Sequence, residues 1–188
     1  MTAFVVTGTD TGIGKTVFAA GLAKRLNATY WKPVQSGLEE ETDSQIVSRL
    51  SGQPVHAETY RLQLPASPHI AAAREGVTID DRVLTLPSQR PLVIEGAGGL
   101  MVPLKNNYYN ADLIRDLNAE IIIVSRLGLG TINHTLLTIN QAKSQGLKIK
   151  GVLFSDTDPK VKSIAEKTNP AEIKRLSGIR ILGTIPYL

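Results

Sequence analysis

The sequence predicts an α/β fold of three layers, a mostly parallel sheet with helices on both faces. Three observations carry that expectation. Short, continuous apolar runs recur along the whole chain, which is how strands covered on both faces read. Stretches of helical period separate them, the alternation that builds parallel sheets. A glycine-rich segment, GTDTGIGKT at residues 8–16, stands between the first apolar run and the first helical stretch. With no internal repeat, low-complexity tract or linker, residues 1–188 read as one domain.

The elements follow in order. Residues 3–7 are the first strand and residues 17–26 the first helix. Residues 28–32 predict a second strand, closed by Pro33. Thr42, Asp43, Ser44 and Gln45 form a helix-start signal ahead of residues 46–50, and Gly52 stops that helix. Residues 54–64 fit neither period. Ser67 and Pro68 open a short helix over 69–74, and residues 80–86 suggest another. Residues 91–95 are a buried strand that breaks into Gly96, Ala97, Gly98 and Gly99. A helix over 110–117 and a central strand over 120–124 come next, and residues 128–130 open a longer helix over 132–145, ended by Gly146. Strands over 149–154 and 179–185 enclose helical material over 161–176.

Chemistry concentrates in the glycine-rich segment. Its glycines let backbone N–H groups turn inward onto phosphate oxygens. The helix behind it adds the partial positive charge of its N-terminus. Lys15 is placed to reach the outer phosphates, and the Thr16 hydroxyl to ligate a Mg²⁺ between them. The usual spacing puts a glycine where Thr9 stands, with Gly8 one residue earlier. Strand, loop, Gly-Lys-Thr and helix are in register, so this is a nucleotide-binding loop and the fold is P-loop NTPase-like.

In such a sheet functional loops lie at the carboxyl ends of the strands, and three further polar residues fall there. Lys32 ends the second strand in KPVQSG, with Ser36 close behind. Glu95 ends a buried run and precedes three glycines, so its carboxylate could reach a metal at the phosphate loop while the glycines admit a ligand closely. Asp43 is either a Mg²⁺ ligand or a helix cap, and spacing does not choose. The bottom-up reading is a Mg²⁺–nucleoside triphosphate enzyme or switch with a second cation, Lys32, for another anionic reactant.

Composition narrows the classes. The 188 residues, 42% hydrophobic and 20% charged, suit an ordinary globular protein with a substantial core. Zero cysteines exclude disulfides, thiolate chemistry and Cys-ligated zinc. The net charge of +4 comes without a dense basic block, and with 5% aromatics there is no stacking platform for nucleic acid. No membrane-length apolar run or signal-peptide pattern occurs, so a cytoplasmic location is the default. His56, His69 and His134 lack metal-site spacing, and no Gly-x-Ser-x-Gly elbow supports a serine hydrolase.

Six motifs in one order make a more specific pattern: GTDTGIGKT, KPVQSG, SPH (67–69), EGAGG (95–99), GTINH (130–134) and GTIP (183–186). From Val5 to Pro186 the chain resembles the dethiobiotin synthetases, ATP-dependent ligases of biotin biosynthesis that carboxylate and ring-close 7,8-diaminononanoate. The resemblance implies that Gly12, Ile13, Gly14, Lys15, Thr16 and Val17 wrap the phosphates of ATP. It implies a Mg²⁺ held by Thr16, Asp43 and Glu95. Lys32 would hold a carbamate, and Thr11, counted with Lys15 and Lys32 as catalytic, would contact the diamine together with Ser36. Gly96, Ala97 and Gly98, with Ser155, Asp156, Ile185, Pro186 and Tyr187, would border the nucleotide. Leu129, Gly130, Thr131, Ile132 and Asn133, at a helix start, would receive the substrate carboxylate of the neighbouring subunit, which implies a homodimer with shared sites.

The chain departs from the family in three places. Ser155 replaces the asparagine that reads the purine, the connection from Ser36 to Asp43 is short, and Leu188 follows soon after Ile185, Pro186 and Tyr187, where relatives usually continue. Rival classes fit less well. A partition-type or septum-site ATPase switch carries a signature lysine where Thr9 stands. A cobyric-acid-type amidotransferase needs a glutaminase cysteine, and a GTPase would show Asn-Lys-x-Asp.

Overall fold

The computed structural model describes residues 3–156 and 163–187. Its elements are β1 (Ala3–Gly8), α1 (Lys15–Leu26), β2 (Thr29–Trp31), β3 (Val34–Ser36), α2 (Asp43–Ser51), β4 (Val55–His56), β5 (Tyr60–Leu62) and α3 (Pro68–Arg74). There follow β6 (Leu92–Gly99), β7 (Pro103–Lys105), β8 (Tyr108–Tyr109), α4 (Asn110–Leu117), β9 (Glu120–Arg126), α5 (Thr131–Ser144), β10 (Ile149–Ser155), α6 (Ile164–Ser177) and β11 (Ile181–Ile185). Seven strands form one sheet in the order β11-β10-β9-β1-β6-β2-β4, and every pairing in it is parallel. The expected layers are present, with β1 at the centre.

Successive strand residues face opposite layers. On one side Val5, Ile94, Ile121, Ile123, Val152 and Phe154 pack with Leu113, Ile139 and Ile173 of α4, α5 and α6. On the other, Val6, Val93, Ile122, Val124 and Leu153 pack with Ala19, Ala23 and Val47 of α1 and α2. Alanines along α1 let it lie close over β1. The face toward α1 also receives Tyr30, which pairs across from Val93, so Glu95, two residues on, projects to the same side.

Local signals account for the helix ends. Thr42 caps α2 in a reciprocal box with Gln45, and Gly52 ends the helix with φ 69°. Ser163 and Glu166 cap α6 in the same way. Thr42 is therefore the cap, and Asp43 stands in the first turn with its side chain turned elsewhere.

Several expectations need correction. Helix α1 begins at Lys15, two residues before the expected start, because Gly14 adopts the left-handed conformation that launches it. The strand after Leu92 does not break at Gly96 but runs to Gly99 with a shifted register, Val6 opposite Glu95 and Gly8 opposite Gly99. Two glycines facing each other allow this, since a Cβ on Gly99 would lie 2.9 Å from the Gly8 carbonyl oxygen. Residues 80–86 make only a single 3₁₀ turn, Asp81–Val83, held by bonds from Arg82 to Asp80 and Lys105 to Asp81. Residues 54–64 contain the short strands β4 and β5. The antiparallel β7–β8 pair was not anticipated. Of the helical stretch expected over 161–176, residues 161 and 162 lie outside the described residues.

Candidate active site

The phosphate loop leaves β1 at Gly8 and enters α1 at Lys15. Gly12 and Gly14 have φ of 68° and 86°, values that side-chain-bearing residues rarely adopt. No side chain caps α1 and its first turn holds no acid, so its N-terminal amides are open to an anion. The Lys15 Nζ folds back over the loop and donates to the Asp10 carbonyl at 2.7 Å. Burial lowers the Lys15 pKa, against the opposing pull of the Glu95 carboxylate.

Beside the loop lies a compact charged cluster. The Thr16 hydroxyl is 2.9 Å from Asp43 Oδ1 and 3.0 Å from Glu95 Oε1, and donates to one of them at a time. The Lys32 ammonium forms an ion pair with Asp43 and lies 3.5 Å from Glu95 Oε1. Tyr30 donates its hydroxyl to Glu95 Oε2 at 3.0 Å. Lys32 and Glu95 are buried, and register explains their meeting: Lys32 follows β2 directly, alongside Glu95 on β6.

Burial and pairing pull these groups in different directions. Burial depresses the Lys32 pKa, but Glu95 and Asp43 more than restore it, and it ends above its ordinary value. Burial pushes Asp43 up, yet Lys32 brings it below the usual carboxylate range. Glu95 stays raised because its burial outweighs the charge of Lys32. Burial, then the charge of Glu95, drives the Tyr30 phenol well up, so its hydroxyl remains a donor.

Lys15, Thr16, Lys32, Asp43 and Glu95 line a cavity of about 640 Å³. It gathers Thr11, the whole loop from Gly12 through Val17, Lys32, Ser36, Asp43, Glu95, Ala97 and Gly98. The Ser36 Oγ is buried with no hydrogen-bond partner among the described residues. Gln35 was not singled out from the sequence. It also lines the cavity, donates to the Ser36 and Gly37 carbonyls, and accepts from the Asp43 N–H at 3.4 Å, tying both ends of the short connection. Its place in KPVQSG was the available signal. Tyr30 had none, because a tyrosine within an apolar strand reads as core.

Other expected residues lie outside this cavity. Gly96 faces Asn110 instead. Ser155 ends β10, and its Oγ is 2.6 Å from where a Cβ on Gly14 would be, so it packs against the back of the phosphate loop. The Asp156 N–H donates to the Ile185 carbonyl at 2.9 Å, and Pro186 and Tyr187 continue along the surface. At the start of α5, Leu129 is 90% exposed and Asn133 is also exposed. Thr131 turns inward instead: Ser125 Oγ contacts Thr131 at 2.8 Å, Thr135 at 2.7 Å and Thr9 at 3.4 Å in a hydroxyl cluster.

A glycine loop leading from the central strand of a parallel sheet into an uncapped helix defines the class: a P-loop nucleotide-binding protein. The family model described as "AAA domain" matches residues 2–188. The chain belongs to the family of ATP-dependent dethiobiotin synthetases. It is 52% identical to the ATP-dependent dethiobiotin synthetase BioD of Sphingopyxis alaskensis, covering 100% of this chain and 89% of the relative. Identity to the synthetase of Novosphingobium aromaticivorans is 50%, with the same coverage. Against one from Rhodopseudomonas palustris it is 58% over 80% of this chain and 73% of the relative. Among solved structures, a putative plasmid partition protein of Borrelia burgdorferi bound to AMPPNP matches with TM-score 0.61 at 14% identity, covering 100% of this chain and 85% of that one. The cell division protein MinD of Aquifex aeolicus matches with TM-score 0.58 at 14% identity, covering 100% and 83%. At those identities the likeness concerns the fold alone.

Proposed function

We propose that the protein joins carbon dioxide to 7,8-diaminononanoate and closes the product into the cyclic urea of dethiobiotin, converting ATP to ADP and phosphate. Besides family membership, one observation carries this reading. Two buried lysines, Lys15 and Lys32, converge with Asp43 and Glu95 on one cavity that Ser36 also lines, its hydroxyl buried without a hydrogen-bond partner among the described residues. One substrate amine attacks carbon dioxide and, losing a proton, becomes a carbamate. A carbamate oxygen attacks the γ-phosphorus, ADP leaves, and a carbamic–phosphoric anhydride forms. The second amine attacks its carbonyl carbon, loses a proton and expels phosphate.

Carbamate and γ-phosphate are both anions, so their approach needs cations between them. In this reading Lys15 serves the transferring phosphoryl group and Lys32 holds the carbamate, while Thr11 and Ser36 orient the diamine. Residues 12–17 wrap the phosphates. Ser155, Asp156 and residues 185–187 border the base, and residues 96–98 the nucleotide. Thr16, Asp43 and Glu95 fit a magnesium ion, since all offer hard oxygen donors around one point. Among the described residues no group of three His, Cys, Asp or Glu gathers, which suits an ion that keeps water and phosphate oxygens. Bound there, Mg²⁺ would neutralise charge on the phosphate oxygens.

A homodimer is part of the proposal. Leu129, Leu137 and Met101 are 90%, 60% and 53% exposed, and the last two line a second cavity of about 400 Å³ between the phosphate loop and α5. A second copy would cover this face and receive its substrate carboxylate at residues 129–133. Among the described residues no helix is long and apolar enough to cross a membrane; a cytoplasmic location is inferred. Phosphate release from ATP, measured with and without diaminononanoate and bicarbonate, tests the function. Strong dependence on both is expected, and release indifferent to the diamine would point to a switch ATPase.

A further inference from the structure

We propose that the Tyr30 hydroxyl is a positioning group for the reaction: it holds Glu95 Oε2, so that only Oε1 is presented to the cavity. The two oxygens of this carboxylate have different neighbours. Oε1 meets the Thr16 hydroxyl at 3.0 Å and the Lys32 ammonium at 3.5 Å, both on the cavity side. Oε2 meets Tyr30 at 3.0 Å on the core side, where Tyr30 is 0% and Glu95 1% exposed.

Packing alone does not call for that hydroxyl. Tyr30 belongs to a buried apolar cluster with Val6, Ala23, Ala28, Val47 and Val93, a setting that phenylalanine would fill equally well. Among the described residues the hydroxyl has one hydrogen-bond partner, Glu95. A buried carboxylate with a free oxygen could rotate about its last bond and present both oxygens to a cation. A fixed Oε2 removes that freedom and keeps the side chain extended toward Thr16. Such outer partners of ligating carboxylates typically set metal affinity by about 10- to 100-fold.

The inference rests on the proposed metal role of Glu95, and the test separates the two. Mn²⁺ binding to the protein–ADP complex, followed by electron paramagnetic resonance, is compared for the parent, Tyr30→Phe, Glu95→Gln and the double variant. Tyr30→Phe is expected to weaken Mn²⁺ binding by about 10-fold while metal-free ADP affinity stays at the parent value. In the Glu95→Gln background the same change is expected to add nothing, since the two act through one contact. Unaltered Mn²⁺ binding in Tyr30→Phe, or a full additional effect in the double variant, overturns the inference alone. Unaltered binding in Glu95→Gln overturns the metal role and the inference together. A structure of the parent with Mg²⁺ and nucleotide is a check that needs no variant: Oε2 turned from Tyr30 to the ion overturns the inference as well.

Discussion

The two halves of the sheet's carboxyl end are built from different chemistry. Around β1, β2 and β6 the strand ends and the loop carry Lys15, Lys32, Glu95 and, from α2, Asp43. Around β9 and β10 the buried polar groups are uncharged: Ser125 with Thr131 and Thr135, Ser155 behind Gly14, and Asn169 of α6, which donates to the Leu127 carbonyl at 2.8 Å. Arg126 is the charged residue at the end of β9; it is half-buried, 3.8 Å from Asp10 Oδ2, and its Nε is buried without a hydrogen-bond partner among the described residues. Burying a charge is costly unless a partner offsets the loss of water. The first half meets that cost with opposed charges in contact, which suits a site for charged reactants. The second half needs no such balance where hydroxyls satisfy one another.

The sharpest test of that contrast is Lys15→Ala. It is expected to lower turnover by about 10²-fold or more, by removing charge stabilisation at the phosphoryl group, with the fold kept as judged by circular dichroism. Lys32→Ala is expected to abolish product formation while ATP affinity, measured by calorimetry, changes far less than in Lys15→Ala. Equal loss of ATP affinity in both variants would merge the two roles. Without Lys32, buried Glu95 and half-buried Asp43 lose their nearest cation, so the nucleotide-free protein should lose about 3 kcal/mol of stability, read from urea unfolding.

Ser125→Ala probes the hydroxyl half. Removing the centre of the cluster leaves Thr131 and Thr135 short of a partner and is expected to cost about 1–2 kcal/mol, with turnover within about twofold of the parent. A loss of turnover as large as that of Lys15→Ala would erase the distinction between the halves. The smallest effect is expected from Ser155→Asn. A serine hydroxyl offers one donor hydrogen where an amide offers a two-point match to a purine edge. The parent is expected to use ATP over GTP or CTP by less than about tenfold, and the variant to prefer ATP more. Strong ATP preference unchanged by the substitution would assign base recognition to backbone near Pro186.

The same contrast governed what could be read in advance. Lys15, Lys32 and Glu95 were legible because a charge that ends an apolar run needs a reason, and strand order places such ends together. Asp43 was only half legible: its neighbour Thr42 takes the cap, which sequence spacing could not decide. Tyr30, Ser125 and Thr135 gave no signal, since their backbones belong to ordinary strands and helices and only tertiary packing brings the oxygens together. Short pieces such as β4, β5, β7 and β8 escaped because two or three residues show no period. The expected break at Gly96 failed for a related reason: glycine opposite glycine lets neighbouring backbones stay paired where composition alone suggests a loop.

That glycine pairing bears on chemical control of the enzyme. A Cβ on Gly99 would meet the Gly8 carbonyl at 2.9 Å, one on Gly8 would meet the Asp10 carbonyl at 2.9 Å, and one on Gly98 would meet Val102 at 2.8 Å with φ at +70°. The wall beside the phosphate loop is thus main chain that tolerates no side chain. One route to inhibitor resistance is a point mutation that adds bulk at the contact surface. A compound seated against Gly98 and Gly99 would meet a surface where added bulk damages the host first, leaving a population under selection few ways to escape it.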